Sequence, residues 1–183
     1  MRWASPLGCL LMITCHGLQG SFQIGLQVPS RFDFGNNSEK TLRIATFNVA
    51  LSAQQTYGLK QRLHSKSDLQ LQNIAAILQK VRPSIVLLNE FDFDESGESV
   101  DLLQSNYLQR SQHELEPISY SHVYVAPSNT GIPSGFDLDR DGRLDCPGDA
   151  FGFGHFPGQY AFVLLSQYEL EREYSDFPEI SLA

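Results

Sequence analysis

The stretch from Ser67 to Glu90 constrains the fold more than any other part of the chain. Leu71, Ile74, Ala75, Leu78 and Val81 recur at three- and four-residue steps, the period that gathers apolar side chains on one helical face. Ser67 followed by Gln70 is the pattern of a capping box, in which two side chains satisfy the first free amides of a helix. Pro83 closes that helix, because its ring disfavours helical geometry at the residue before it. Ser84–Glu90 then forms a continuous apolar run that ends in Asn89 and Glu90. Such a run suits a central strand covered on both faces. Upstream, Leu42–Val49 is rich in β-branched and apolar residues and reads as a partner strand. Strand, amphipathic helix and buried strand predict an α/β arrangement.

Outside this unit the pattern thins. Ser52–Lys66 is polar and reads as loop, Val100–Leu108 as a short helix and His122–Ala126 as a strand. Pro127–Phe156 is rich in Gly, Pro and Asp and is expected to be loop, followed by a strand at Tyr160–Ser166 and an acidic tail. A chain of 183 residues, 42% of them hydrophobic, can bury one domain core. Its net charge of −8 argues against tight nonspecific nucleic-acid binding, which needs Lys and Arg to displace counterions from phosphates. Carboxylates gathered around a cation also lower net charge, so nuclease chemistry stays open. Besides Glu90, Ser84–Pro117 holds Asp92, Asp94, Glu95, Glu98, Asp101, Glu114 and Glu116 against one base, Arg110, a run expected to be a solvated face.

At the N-terminus, Arg2 precedes a mainly apolar stretch, Leu7–Cys15, and then small and polar residues. That is the layout of a secretory signal over residues 1–20, with an irregular lead-in over 21–40. The apolar stretch is too short to span a bilayer. The chain is therefore expected to be exported, to a periplasm or the exterior. Lipid attachment at Cys15 is an alternative, because Met12-Ile13-Thr14-Cys15 loosely resembles a bacterial lipobox with Thr14 in place of Gly or Ala. Loss of Cys9 and Cys15 with a leader would leave only Cys146, and no internal disulfide.

Two constellations carry candidate chemistry. Asn48 and Glu90 each end a predicted strand, and polar groups at the rim of an open α/β sheet are held rigidly yet meet solvent. An amide oxygen and a carboxylate there suit a hard cation such as Mg²⁺, although each also serves simply to end a strand. The second is Asp137-Leu138-Asp139-Arg140-Asp141-Gly142, the front of an EF-hand-type Ca²⁺ loop, with Asp145 as a further oxygen donor. Position 12 of that loop is Gly148 rather than a bidentate Glu, no helices flank it, and Asp149 is the nearest substitute. A solvated acidic turn is the competing reading.

Read together, LRIATFNVA, PSIVLLNEFD and FPGQYAFVLLSQYEL resemble the endonuclease/exonuclease/phosphatase superfamily, with its DNase-I-like fold, over residues 41 to 170. The resemblance implies a two-sheet β-sandwich with outer helices and assigns a metal site to Asn48 and Glu90. Asn89 stands where the family usually has Gln, and Glu169 follows Tyr168 where it usually has Pro. The implied chemistry is phosphoester hydrolysis, in which Mg²⁺ (or Mn²⁺) neutralises the phosphate and the developing leaving-group charge. The substrate the resemblance implies is a phosphoester, either a nucleic acid or a small phosphoester. The Asn129–Gly135 and Phe151–Tyr160 runs are similar to a bacterial, exported subset of the family.

In such enzymes a His and Asp pair and an Asp general base complete the site from more C-terminal positions. The sequence holds no matching Asp-x-Asn or Ser-Asp-His motif, and His113, His122 and His155 stand in other contexts. The expectation is a partial domain over 41–183, incomplete at its C-terminus and catalytically incomplete. The alternative is a noncatalytic, exported, Ca²⁺-stabilised binding module.

Overall fold

Asp68 starts the central helix: its carboxylate accepts the free backbone N–H groups of Gln70 at 3.0 Å and Leu71 at 3.2 Å. The capping box predicted from Ser67 and Gln70 is therefore replaced by a cap one residue later, and the Gln70 side chain is used elsewhere. The computed structural model describes residues 12–17, 20–25, 42–144 and 146–174. In chain order its elements are β1 (Met12–Gly17), β2 (Gly20–Gly25), β3 (Ile44–Leu51), α1 (Gly58–His64), α2 (Leu69–Val81), β4 (Ile85–Phe91), α3 (Glu98–Leu103), β5 (His122–Val125), β6 (Phe162–Ser166) and β7 (Glu171–Tyr174). A π-helical turn, Gln104–Leu108, extends α3.

Four strands form one sheet in the order β3-β4-β6-β5. β3 and β4 run parallel, as a pair joined through α2 must, while β6 is antiparallel to both β4 and β5. The period of two sorts the side chains. One face carries Phe47, Leu88, Val163 and Val125 and packs on Leu71, Ile74, Ala75 and Leu78 of α2. The other face carries Ile85, Leu164, Tyr124 and Ala126 in a second buried cluster, with Leu87, Phe162, Tyr168 and Leu170 around it. β4 is central and largely buried, as its unbroken apolar run predicts. A second, antiparallel sheet is built from β1, β2 and β7. The mixed α/β class read from the sequence is thus present.

Several boundaries differ. Ser52–Lys66 is not all loop: Leu59 and Leu63, four residues apart, bury one face of α1. Val81 is exposed, and the polar Gln79 is buried in its stead, donating to the backbone carbonyls of Leu108 at 2.9 Å and Arg110 at 2.6 Å. Gly20–Gly25 is a strand rather than irregular lead-in, and Glu171–Tyr174 pairs with it instead of trailing as a tail. Of the apolar N-terminal stretch, residues 7–11 lie outside the described residues and Met12–Cys15 fall in β1. No described helix is long and apolar enough to cross a membrane.

Candidate metal centre

β3 and β4 stay in register to Asn48 opposite Asn89 and then shift, so that Leu51 faces Phe91. One strand advances three residues while the other advances two, which is a β-bulge. Ala50 at φ 47° and Glu90 at φ 58° absorb it in the left-handed region, where non-glycine residues are uncommon. Such strain persists only where the surroundings enforce it. Its effect is to set the Glu90 carboxylate beside Asn48. The Asn48 amide donates to Glu90 Oε1 at 2.7 Å, while its Oδ1 accepts from the Ala50 N–H at 3.0 Å. Asn89 is fixed by donating to Thr46 Oγ1 at 2.8 Å.

Asn48 is exposed and Glu90 half-buried. Among the described residues, no Lys, Arg or His forms an ion pair with Glu90, and its second carboxylate oxygen has no hydrogen-bond partner. A half-buried carboxylate with no cationic partner and one free oxygen, its other oxygen held by the Asn48 NH₂, is a hard-oxygen donor and fits a divalent cation that keeps much of its water shell.

Asp92, placed with the solvated acids by the sequence reading, is instead buried at 6% exposure. Its carboxylate accepts from the backbone N–H of Ala53 at 2.7 Å and of Tyr160 at 3.2 Å. Burial raises its pKa, against those two hydrogen bonds. Gln159, also buried, donates to the Ala53 carbonyl at 2.6 Å and accepts from the His155 N–H at 2.7 Å. Together Asp92 and Gln159 tie the loop after β3, the end of β4 and the segment before β6 around the Asn48–Glu90 rim. No spacing signal in the sequence separates Asp92 from its solvated neighbours.

Asp94 is another departure from the solvated reading. Burial pushes its pKa up, but hydrogen bonds from the Ser96 and Ser99 hydroxyls and amides outweigh this and hold it at about 2. Lys60 adds an ion pair at 3.4 Å. These contacts fasten α1 to the start of α3.

In the Asp-rich loop the structure brings together Asp139, Asp141, Cys146 and Asp149, whose ligand atoms all lie within 4.8 Å of one another. Asp137 is turned instead toward the backbone, accepting from Asp141 N–H at 3.1 Å and Gly142 N–H at 3.0 Å. Asp145 lies outside the described residues. Asp149, buried at 1% exposure, takes the inward place that the sequence left to Gly148 or its neighbour. The Cys146 thiol donates to Asp149 at 3.0 Å and Asp139 at 3.1 Å, and these two carboxylates raise its pKa to about 11.

None of His113, His122 and His155 hydrogen-bonds Asn48 or Glu90: His113 and His155 are exposed, and His122 is half-buried on β5. Phe153 packs on Tyr160 at 6.3 Å between ring centres and edge-on to His155 at 5.8 Å, forming an aromatic wall near Asp92.

A family model described as the Endonuclease/Exonuclease/phosphatase family matches residues 45–180. Neither the curated proteins nor the solved structures give a match.

Proposed function

Because this chain belongs to the endonuclease/exonuclease/phosphatase family, whose activity is phosphoester hydrolysis, we propose that Asn48 and Glu90 hold a divalent cation, Mg²⁺ or Mn²⁺, against a phosphoester substrate. The observation that carries this reading is the bulge: two strained residues and a register shift serve to aim one unpaired carboxylate at a neighbouring amide. When bound there, the cation would offset phosphate charge and the charge that develops on the leaving oxygen. Glu90 supplies the anionic ligand. Asn48 orients it through the 2.7 Å hydrogen bond and keeps a lone pair on Oδ1 for the cation's shell. Asp92 and Gln159 hold the flanking loops.

On the same reading, β1, β2 and β7 form the second leaf of the family's sandwich, over the sheet face that carries Leu164 and Tyr124. No group that could act as general base or orient a phosphate hydrogen-bonds the pair among the described residues. The reading is therefore tested by ligand binding rather than turnover. A nonhydrolysable phosphorothioate dinucleotide should raise Tm in the presence of Mn²⁺ and leave it unchanged in EDTA. The same shift in Glu90→Ala would overturn the assignment.

A second site is favoured by the convergence of Asp139, Asp141 and Asp149. It is proposed as a structural Ca²⁺ position, and alone it would serve a noncatalytic, Ca²⁺-stabilised binding module. Calorimetric titration with Ca²⁺ should show binding that the Asp139→Ala, Asp141→Ala double variant removes. Identical heats in the two proteins would reject it.

A further inference from the structure

The Gln70 side chain, freed from the capping role its spacing predicts, reaches across to the bulge. Its Nε2 donates to the carbonyl of Val49 at 3.0 Å and to that of Ala50 at 2.9 Å. On the other side, Arg62 Nη2 donates to Gln70 Oε1 at 2.8 Å. The amide orientation follows from chemistry: a guanidinium only donates and a carbonyl only accepts, so the oxygen must face Arg62 and the NH₂ the strand. Arg62 is itself anchored on the cap residue, Asp68, at 2.9 Å and 3.1 Å. A continuous chain therefore runs from the helix cap through Arg62 and Gln70 to the two carbonyls that flank the strained Ala50.

We infer that Gln70 is a positioning residue for the Asn48–Glu90 centre, one that locks the bulge and so fixes the amide–carboxylate pair. The inference rests on the metal reading above. Ala50 links the two ends, since its N–H donates to Asn48 Oδ1 and its carbonyl accepts from Gln70. Without Gln70 the left-handed Ala50 loses a clamp, Asn48 turns more freely, and Glu90 loses its orienting donor. Groups that orient metal ligands in this way typically change metal affinity by about 10–100-fold when removed.

Gln70→Glu is the informative variant, because it keeps the length and the partnership with Arg62 but sets a carboxylate against two carbonyl oxygens. Gln70→Met, which keeps the volume and removes the donor, is the second. Two readouts are needed: hydrogen exchange at the Ala50 amide, and Mn²⁺ affinity by calorimetry with Asp139→Ala and Asp141→Ala in the background to silence the loop. The expected result is faster Ala50 exchange and about 10-fold or greater loss of Mn²⁺ affinity in both variants, with Tm close to that of the parent. Unchanged Ala50 exchange in both would overturn the role of Gln70, as would parental Mn²⁺ affinity. A parent that binds no Mn²⁺ would overturn the metal assignment itself, and Ala50 exchange would then decide Gln70 alone.

Discussion

At the scale of single residues, two acids just after β4, Asp92 and Asp94, have their pKa values shifted in opposite directions. Asp94 is held at about 2, below the ordinary 3.8, so its contribution to stability is full above the unfolded value and disappears as pH falls through the folded one. Asp94→Ala should lower Tm at neutral pH, and the gap from the parent should close between about pH 4 and pH 2 in thermal unfolding followed by circular dichroism. A gap that stayed constant across that window would contradict the electrostatic account. Asp92 is pushed the other way, by burial, and keeps its place through two backbone N–H groups. Asp92→Ala would leave two half-buried backbone donors unmet, a loss of at most about 1–3 kcal/mol each, measurable by urea denaturation. Both acids lie in a charged run that reads in sequence as one solvated face. Burial is decided by distant segments, the Ala53 loop and Tyr160, and no local pattern announces them.

At the scale of elements, α2 was legible from Leu71, Ile74, Ala75 and Leu78, because a helix this long repeats its period several times. α1 was not, because Leu59 and Leu63 are a single four-residue step within seven residues. The sequence pattern sets the cap of α2 one residue early, because Ser67 and Asp68 are both good caps, and the Arg62 ion pair at 2.9 Å favours Asp68. That pairing, with the two amide hydrogen bonds, also lowers the Asp68 pKa. Asp68→Ala should cost about 1–2 kcal/mol of unfolding free energy, with the loss reduced in an Arg62→Ala background because the two share a partner network. Equal losses in both backgrounds would show that Asp68 acts as a cap alone. The site reading of Asn48 and Glu90 rests on the resemblance of the flanking segments, since by spacing alone each serves as well to end a strand, and β3 in fact runs on to Leu51. The bulge that makes them converge could not be read from the sequence, since left-handed backbone at Ala50 and Glu90 has no signature in these residue types.

At the scale of the whole molecule, β4 lies between β3 and β6, with α2 over one face and the Leu164–Tyr124 cluster on the other. Its amides should therefore exchange most slowly among the described residues, and those of the Pro127–Phe156 loop far faster, in native-state exchange followed by mass spectrometry. Comparable rates in the two would contradict the placement of the core. The same central strand delivers Glu90 to the rim, which joins the fold to the chemistry assigned to it. The most direct measurement of that assignment is calorimetric titration of Mn²⁺ into protein whose Asp-rich loop is silenced by Asp139→Ala and Asp141→Ala, with and without Glu90→Ala. One binding event, weakened about 10-fold or more by Glu90→Ala at unchanged Tm, is the predicted result. Equal Mn²⁺ affinity with and without the Glu90 carboxylate would contradict it.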